Sequence, residues 1–180
     1  MRRAIAAMLA ALAVPAAVAA SGMAYTPGPH NVLFPAGFER HFIRYAVIDK
    51  PDRRIIRFLY VNPAAFAAAR PGEALPHGTV LVMADAWARL GPDGAPLRDL
   101  DGRLIPEPDI FVVAVQQKER GWGEGYGPER RNGEWEYASF TPTGERRAVR
   151  LDGCFSCHLQ ARAGEDFTFA IWDYVQARRR

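Results

Sequence analysis

Four stretches of the chain carry the pattern of β-strands. "RIIRFLYVN" (54–62) is β-branched and aromatic, "GTVLVMADAW" (78–87) is a continuous apolar run opened by Gly78, and "DIFVVAVQQK" (109–118) is another. "GEWEYASF" (133–140) alternates Glu134 and Glu136 against Trp135 and Tyr137, which predicts a strand with one wet face. Between the first two strands, Asn62 as a cap and Pro63 at the first helical position predict a helix in "NPAAFAAAR". "FPAGFERHFIRY" predicts a short helix with Phe38, Phe42 and Tyr45 near one face. "EDFTFAIWDYVQA" predicts another, with Phe167, Ile171 and Tyr174 at helical spacing. The connections "LGPDGAPLRDLDGRLIPEP" and "GWGEGYGPERRNG" are long and rich in turn residues. Short strands, few helices and little room for parallel crossovers give an α+β single domain, predominantly antiparallel β-sheet.

The N-terminus departs from this pattern. "MRRAIAAMLAALAVPAAVAASG" has two arginines, an uncharged apolar run, and a small-residue exit where cleavage fits near Ala19 or Ala20. That is the order of a secretory signal peptide over residues 1–20. The competing reading, a membrane anchor, requires about 20 apolar residues, and the run falls short. Residues 21–33 then form an extended, Pro/Gly-punctuated lead-in, and 34–177 the folded domain. The expectation is an exported, periplasmic protein with no membrane span.

Charge adds little. The formal net charge of +3 is partly carried by the terminal "ARRR" and by the signal segment, and the rest is interleaved, as in "FERHFIRY". No continuous basic face for nucleic acid emerges. Lysine occurs only at Lys50 and Lys118.

The candidate chemistry lies in "GCFSCHLQ" (153–160), which holds both cysteines. Cys154 and Cys157 stand one helical turn apart, so their sulfurs can add across the two vinyl groups of one porphyrin edge. His158 follows and can reach the iron as an axial ligand. Cys-x-x-Cys-His is the spacing of covalent haem c attachment. A zinc ribbon needs a second ligand pair that the chain lacks. A thioredoxin-like dithiol belongs at a strand-to-helix junction of a βαβ unit, not near the end of antiparallel strands. A disulfide closing two residues would add little stability. The reading is one covalently attached haem c.

The sixth iron position separates electron transfer from ligand chemistry. His30 in the lead-in, His77 in "LPHG" and His41 in a charged stretch read as surface residues. Met83 reads as strand core, and composition alone leaves the position open.

The ordered set "FPAGFERHF", "YVNPAAFAA", "LPHGTVLV", "VAVQQKERGWGEGYG", "GCFSCH" and "EDFTF" resembles the cytochrome P-460 and cytochrome c′-beta family, from about Phe34 to Tyr174. The resemblance implies a mostly antiparallel β-fold, a homodimer and a five-coordinate haem. The hydroxylamine-oxidising members tie a lysine of a "Gly-Thr-Val-x-Val-Lys" strand to the porphyrin. Here that position is Met83, which cannot form the carbon–nitrogen bond, and neither Lys50 nor Lys118 takes an equivalent place. The cytochrome c′-beta branch implies instead an apolar, often phenylalanine-capped pocket for nitric oxide or carbon monoxide.

Strand alternation gives that pocket a geometry. If Met83 faces the haem, Leu81 and Asp85 share its face. Asp85 is then a candidate catalytic proton carrier, or else a solvent-facing carboxylate. Phe38, Phe58 and Phe66 are candidates for the aromatic cap. Trp122 and Tyr126 match a family landmark and read as structural, and Asp166 and Phe167 are expected near the attachment segment. The leading reading is a haem protein binding nitric oxide or a related small nitrogen species. The alternatives are oxidation of hydroxylamine or nitric oxide, a peroxidase-like activity, and a low-spin electron carrier serving a periplasmic redox partner.

Overall fold

The structure, a computed structural model, describes residues 25–177, so the signal peptide expected over residues 1–20 and Met23 lie outside the described residues. Five strands form one antiparallel sheet in sequential order: β1 (Ile43–Lys50), β2 (Ile55–Val61), β3 (Thr79–Ala88), β4 (Pro106–Lys118) and β5 (Trp135–Phe140). Four short helices accompany it: α1 (Phe38–His41), α2 (Pro63–Ala68), α3 (Asp152–Arg162) and α4 (Ile171–Ala177). The α+β, mainly antiparallel class expected from the sequence is the class observed. No helix among the described residues is long and apolar enough to cross a membrane.

The sheet divides the core into two faces, set by register. Met83 pairs with Leu59 and Ala114, and Leu81 with Val61 and Gln116. These residues share one face, and α3 and α4 pack over it through Phe155, Ile171 and Val175. The neighbouring pairs Phe58–Ala84 and Val82–Val115 point the other way. They are covered by Val32, Phe34 and Phe38 from the N-terminal segment. Burial of side chains such as Phe155 and Phe140 contributes about 2–3 kcal/mol each relative to exposure.

Three elements differ from the sequence pattern. The helix expected in "FPAGFERHFIRY" is a single turn, and Ile43 begins an edge strand in which Tyr45 is buried. A bulge between Arg44 and Ala46 interrupts the alternation there. The C-terminal helix starts only at Ile171, because Asp166, Phe167 and Ala170 hold positive φ of 51°, 57° and 61°. Left-handed backbone cannot continue a right-handed helix. On β5, Glu136 is fully buried rather than wet. It accepts hydrogen bonds from the Tyr25 and Tyr126 hydroxyls and the Gly28 amide, which fastens the lead-in to the sheet.

The Asn62 side chain does not cap α2. It donates to the Gly78 carbonyl and accepts from the Val80 amide, joining β2 to β3. The "GWGEGYG" loop needs its glycines: Gly123 sits at φ 84°, and a Cβ there would lie 2.0 Å from the Gly133 carbonyl oxygen.

Candidate functional site

Helix α3 begins with Asp152, whose carboxylate favours the helix N-terminus and takes an ion pair from Arg130 at 2.8 Å. Phe155 anchors it, packed against Tyr137 and Tyr126 at ring separations of 4.8 and 5.0 Å. With Phe155 turned into the core, Cys154 is half-buried and Cys157 exposed, and the two thiols are not bonded to each other. Burial pushes the Cys154 thiol above its ordinary range, and Cys157 beside it adds to the effect. Dithiol redox chemistry requires the opposite, a depressed pKa. Among the described residues no group of histidine, cysteine and carboxylate side chains could hold a bare metal ion.

His158 is oriented from behind. Its Nδ1 lies 2.6 Å from the Phe167 carbonyl oxygen, and the ring stands edge-on to Phe169 at 4.7 Å. Burial lowers its pKa, the Phe167 carbonyl opposing that shift. A carbonyl only accepts, so Nδ1 carries the proton of the neutral ring and Nε2 keeps its lone pair for a metal. The same carbonyl accepts from Gln116 Nε2 at 2.9 Å. Tyr137, beside His158 at 5.0 Å, accepts at its hydroxyl from Asn132 at 2.8 Å.

These groups border a cavity of about 560 Å³, within the range of cofactor pockets. Cys154, Cys157 and His158 line it from α3. Leu59, Leu81, Met83 and Ala114 supply an apolar floor from the sheet, and Lys50, Arg53 and Arg57 rim the side formed by the β1–β2 turn. Thiols beside an imidazole with a free lone pair, an apolar floor and a cationic rim fit the vinyl edge, iron, flat ring and carboxylates of a porphyrin. Haem c bound here would supply an iron able to take small ligands and single electrons, with Cys154 and Cys157 holding the porphyrin and His158 the iron.

The cytochrome P460 family model matches residues 35–170, most of the chain. The chain belongs to the cytochrome P460 family. Among curated proteins none matches it. Membership in the cytochrome P460 family makes this a haem cytochrome, and Cys154 and Cys157 are consistent with a Cys-x-x-Cys haem motif.

The other residues singled out in the sequence fall in different places. Leu81 and Met83 line the same cavity as His158. Asp85 shares their strand face but is neither free nor wet: it is 3% exposed, and Arg57 grips it with two hydrogen bonds of 2.9 and 2.8 Å. Phe38 and Phe58 pack on the opposite face, Phe38 edge-on to Tyr60 at 5.1 Å, so neither caps the cavity. Phe66 packs against the core of the cavity face without lining the cavity. The aromatic lining comes from Tyr45, Tyr137 and Phe169. Of these, Phe169 lies inside the "EDFTF" landmark, and Tyr45 lies on β1, where the sequence pattern predicts a helix. Lys118 is buried in an ion pair with Asp166 at 2.9 Å, and Asp166 also accepts from the Leu75 amide. Lys50 lines the cavity from the end of β1, not from the β3 position of Met83. His30, His41 and His77 are exposed, and His77 is paired with Glu134.

Proposed function

We propose that this chain is an exported, periplasmic mono-haem c cytochrome, ligated by His158 on one side and open to nitric oxide or a related small nitrogen species on the other. The observation that carries the reading is the floor of Leu59, Leu81 and Met83 bordering the same cavity as His158. Such a floor admits an uncharged diatomic and offers no donor to a bound dioxygen. The side chains divide the work: Cys154 and Cys157 hold the vinyl edge, His158 the iron, and the Phe167 carbonyl the imidazole.

Oxidation of hydroxylamine needs a base to remove protons beside the iron. Asp85 is tied to Arg57, and Met83 stands where the oxidising relatives are expected to carry their cross-linking lysine, so this enzyme reading is the weaker one. A second reading rests on one observation: the Met83 thioether borders the cavity that His158 borders, and a His/Met pair would make a low-spin electron carrier. A homodimer and a periplasmic redox partner complete the proposal.

Optical spectra of the exported holoprotein, ferric and ferrous, with and without nitric oxide, test it. High-spin spectra that shift with the gas are expected. Low-spin bands indifferent to nitric oxide would select the electron carrier, and a strongly red-shifted ferrous Soret band would reveal a cross-linked haem.

A further inference from the structure

The cavity is chemically lopsided. Its thiol end lies under α3, which packs on β5 through Phe155 and Tyr137. Its cationic end lies at the β1–β2 turn, on the opposite edge of the five-stranded sheet. The charged groups facing that end are Lys50 from β1, Arg53 from the turn, Arg57 from β2 and, through Arg57, Asp85 from β3. Arg57 is neutralised by Asp85 in a two-bonded pair. Among the described residues the exposed Arg53 has one carboxylate partner, the exposed Asp52 at 3.8 Å. Lys50 is half-buried, and among the described residues no carboxylate pairs with it. An apolar cavity edged by two cations without strong partners is built for an anion.

We propose that Lys50 and Arg53 form a clamp for the two propionate carboxylates of the haem, a binding site distinct from the Cys-x-x-Cys-His attachment. The proposal rests on the haem c reading. Vinyl groups occupy two adjacent pyrroles of the porphyrin and propionates the other two, so fixing the vinyl edge at Cys154 and Cys157 sends the propionate edge away from α3. The β1–β2 turn is where the cavity offers positive charge. Charge-assisted hydrogen bonds of this kind are short and about twice as strong as neutral ones. They also hold the propionate pKa down, where burial in an apolar cavity would raise it toward neutrality.

The consequence is readable in the reduction potential. Cations near the ring edge favour the ferrous form, which carries one positive charge fewer. Ionised propionates that no longer have a clamp take up protons more readily, and each proton again favours the ferrous form.

The test is a spectroelectrochemical titration of the holoprotein from pH 5.5 to 8.5, each pH bracketing neutrality on the order of one to two units. Wild type is compared with Lys50→Gln/Arg53→Gln and with Lys50→Arg, and resonance Raman propionate bending bands are recorded for each. The double variant is expected to have a lower potential than wild type at alkaline pH. Its potential should rise as pH falls, where the wild-type curve stays flat, and its propionate bands should shift. Lys50→Arg should keep the wild-type curve. Coincident curves and bands in wild type and double variant, both carrying covalent haem and both responding to nitric oxide, would overturn the clamp and leave the gas-binding reading standing. Wild-type protein with covalent haem but no response to nitric oxide removes the gas-binding reading, while a shifted double-variant curve still supports the clamp. Absence of covalent haem in the wild type would overturn both.

Discussion

The Nδ1 of His158 lies 2.6 Å from the carbonyl oxygen of Phe167, a residue held at φ 57°. The left-handed turn at Asp166 and Phe167 aims that carbonyl back at His158 on α3, and the Phe167 amide closes the turn on the Arg162 carbonyl at 2.8 Å. The Lys118–Asp166 ion pair, with side chains 6% and 11% exposed, holds the turn from the sheet. A ligand imidazole fixed in tautomer and direction by a backbone carbonyl is the common arrangement around a metal, and such outer partners matter 10–100-fold for affinity or activity.

Gln116 donates to the same carbonyl from β4. Gln116→Leu should therefore cost about 1 kcal/mol of stability and let the Phe167 carbonyl shift toward His158. The expected signature is a displaced iron–histidine stretching band in the ferrous protein, with denaturant titration reporting the stability change. An unmoved band would mean that the turn alone fixes the carbonyl.

Asp85 behaves as half of an ion pair. Asp85→Asn leaves the Arg57 guanidinium, only 23% exposed, without its partner charge and should destabilise by about 2 kcal/mol. Arg57→Met/Asp85→Leu replaces both charges by apolar groups and should cost less than the single change. Urea melts of wild type, Asp85→Asn and the double variant decide this, and a double variant less stable than Asp85→Asn would refute it. Any hydroxylamine turnover should be unchanged in the Asp85→Leu double variant.

The cysteine spacing, the haem class and four of the five strands are legible in the sequence because each is a local signal. What failed depends on register or on distant partners. Phe58 pairs with Ala84, the neighbour of Met83, so it must face away from the cavity, yet no local pattern in "RIIRFLYVN" reveals that pairing. Glu136 alternates with tryptophan and tyrosine as a wet residue does, but Tyr25, over a hundred positions away, seals it. Tyr45 reads as helical because the bulge after Arg44 breaks the alternation that marks a strand. "DKPD" reads as a turn, and only the pairing of Lys50 with Ile55 at the end of β1 brings it to the cavity.

The same hairpin supplies a pH dependence away from the site. Asp49 accepts two hydrogen bonds from Arg103, at 2.9 and 3.0 Å, and one from the Leu104 amide at 3.0 Å. The Arg103 guanidinium holds its carboxyl below the ordinary value of 3.8. A depressed carboxyl pKa contributes stability that is fully present above about pH 4 and lost as pH falls through the folded value. Arg103 is 47% exposed, so solvent screening limits the contribution to about 1 kcal/mol. Wild type should thus exceed Asp49→Asn in urea stability at pH 7, and the gap should close in acid. A gap that widens in acid would contradict the sign.

Met83 decides between an open and a closed iron. Leucine is close to methionine in volume and has no sulfur, so Met83→Leu should change stability by less than about 1.5 kcal/mol and keep the cavity floor apolar. If the floor is only a wall, ferric and ferrous spectra of Met83→Leu match wild type, and nitric oxide shifts both proteins alike. That is the expected outcome, because Met83 lies in a row with Leu59 and Ala114 across three strands, where side chains of the same face pack together as core. If the thioether closes the sixth position, wild type is low-spin and the substitution converts it to a high-spin, gas-responsive protein. The spin state of two proteins that differ by one side chain therefore separates the gas binder from the electron carrier, whichever partner either one serves.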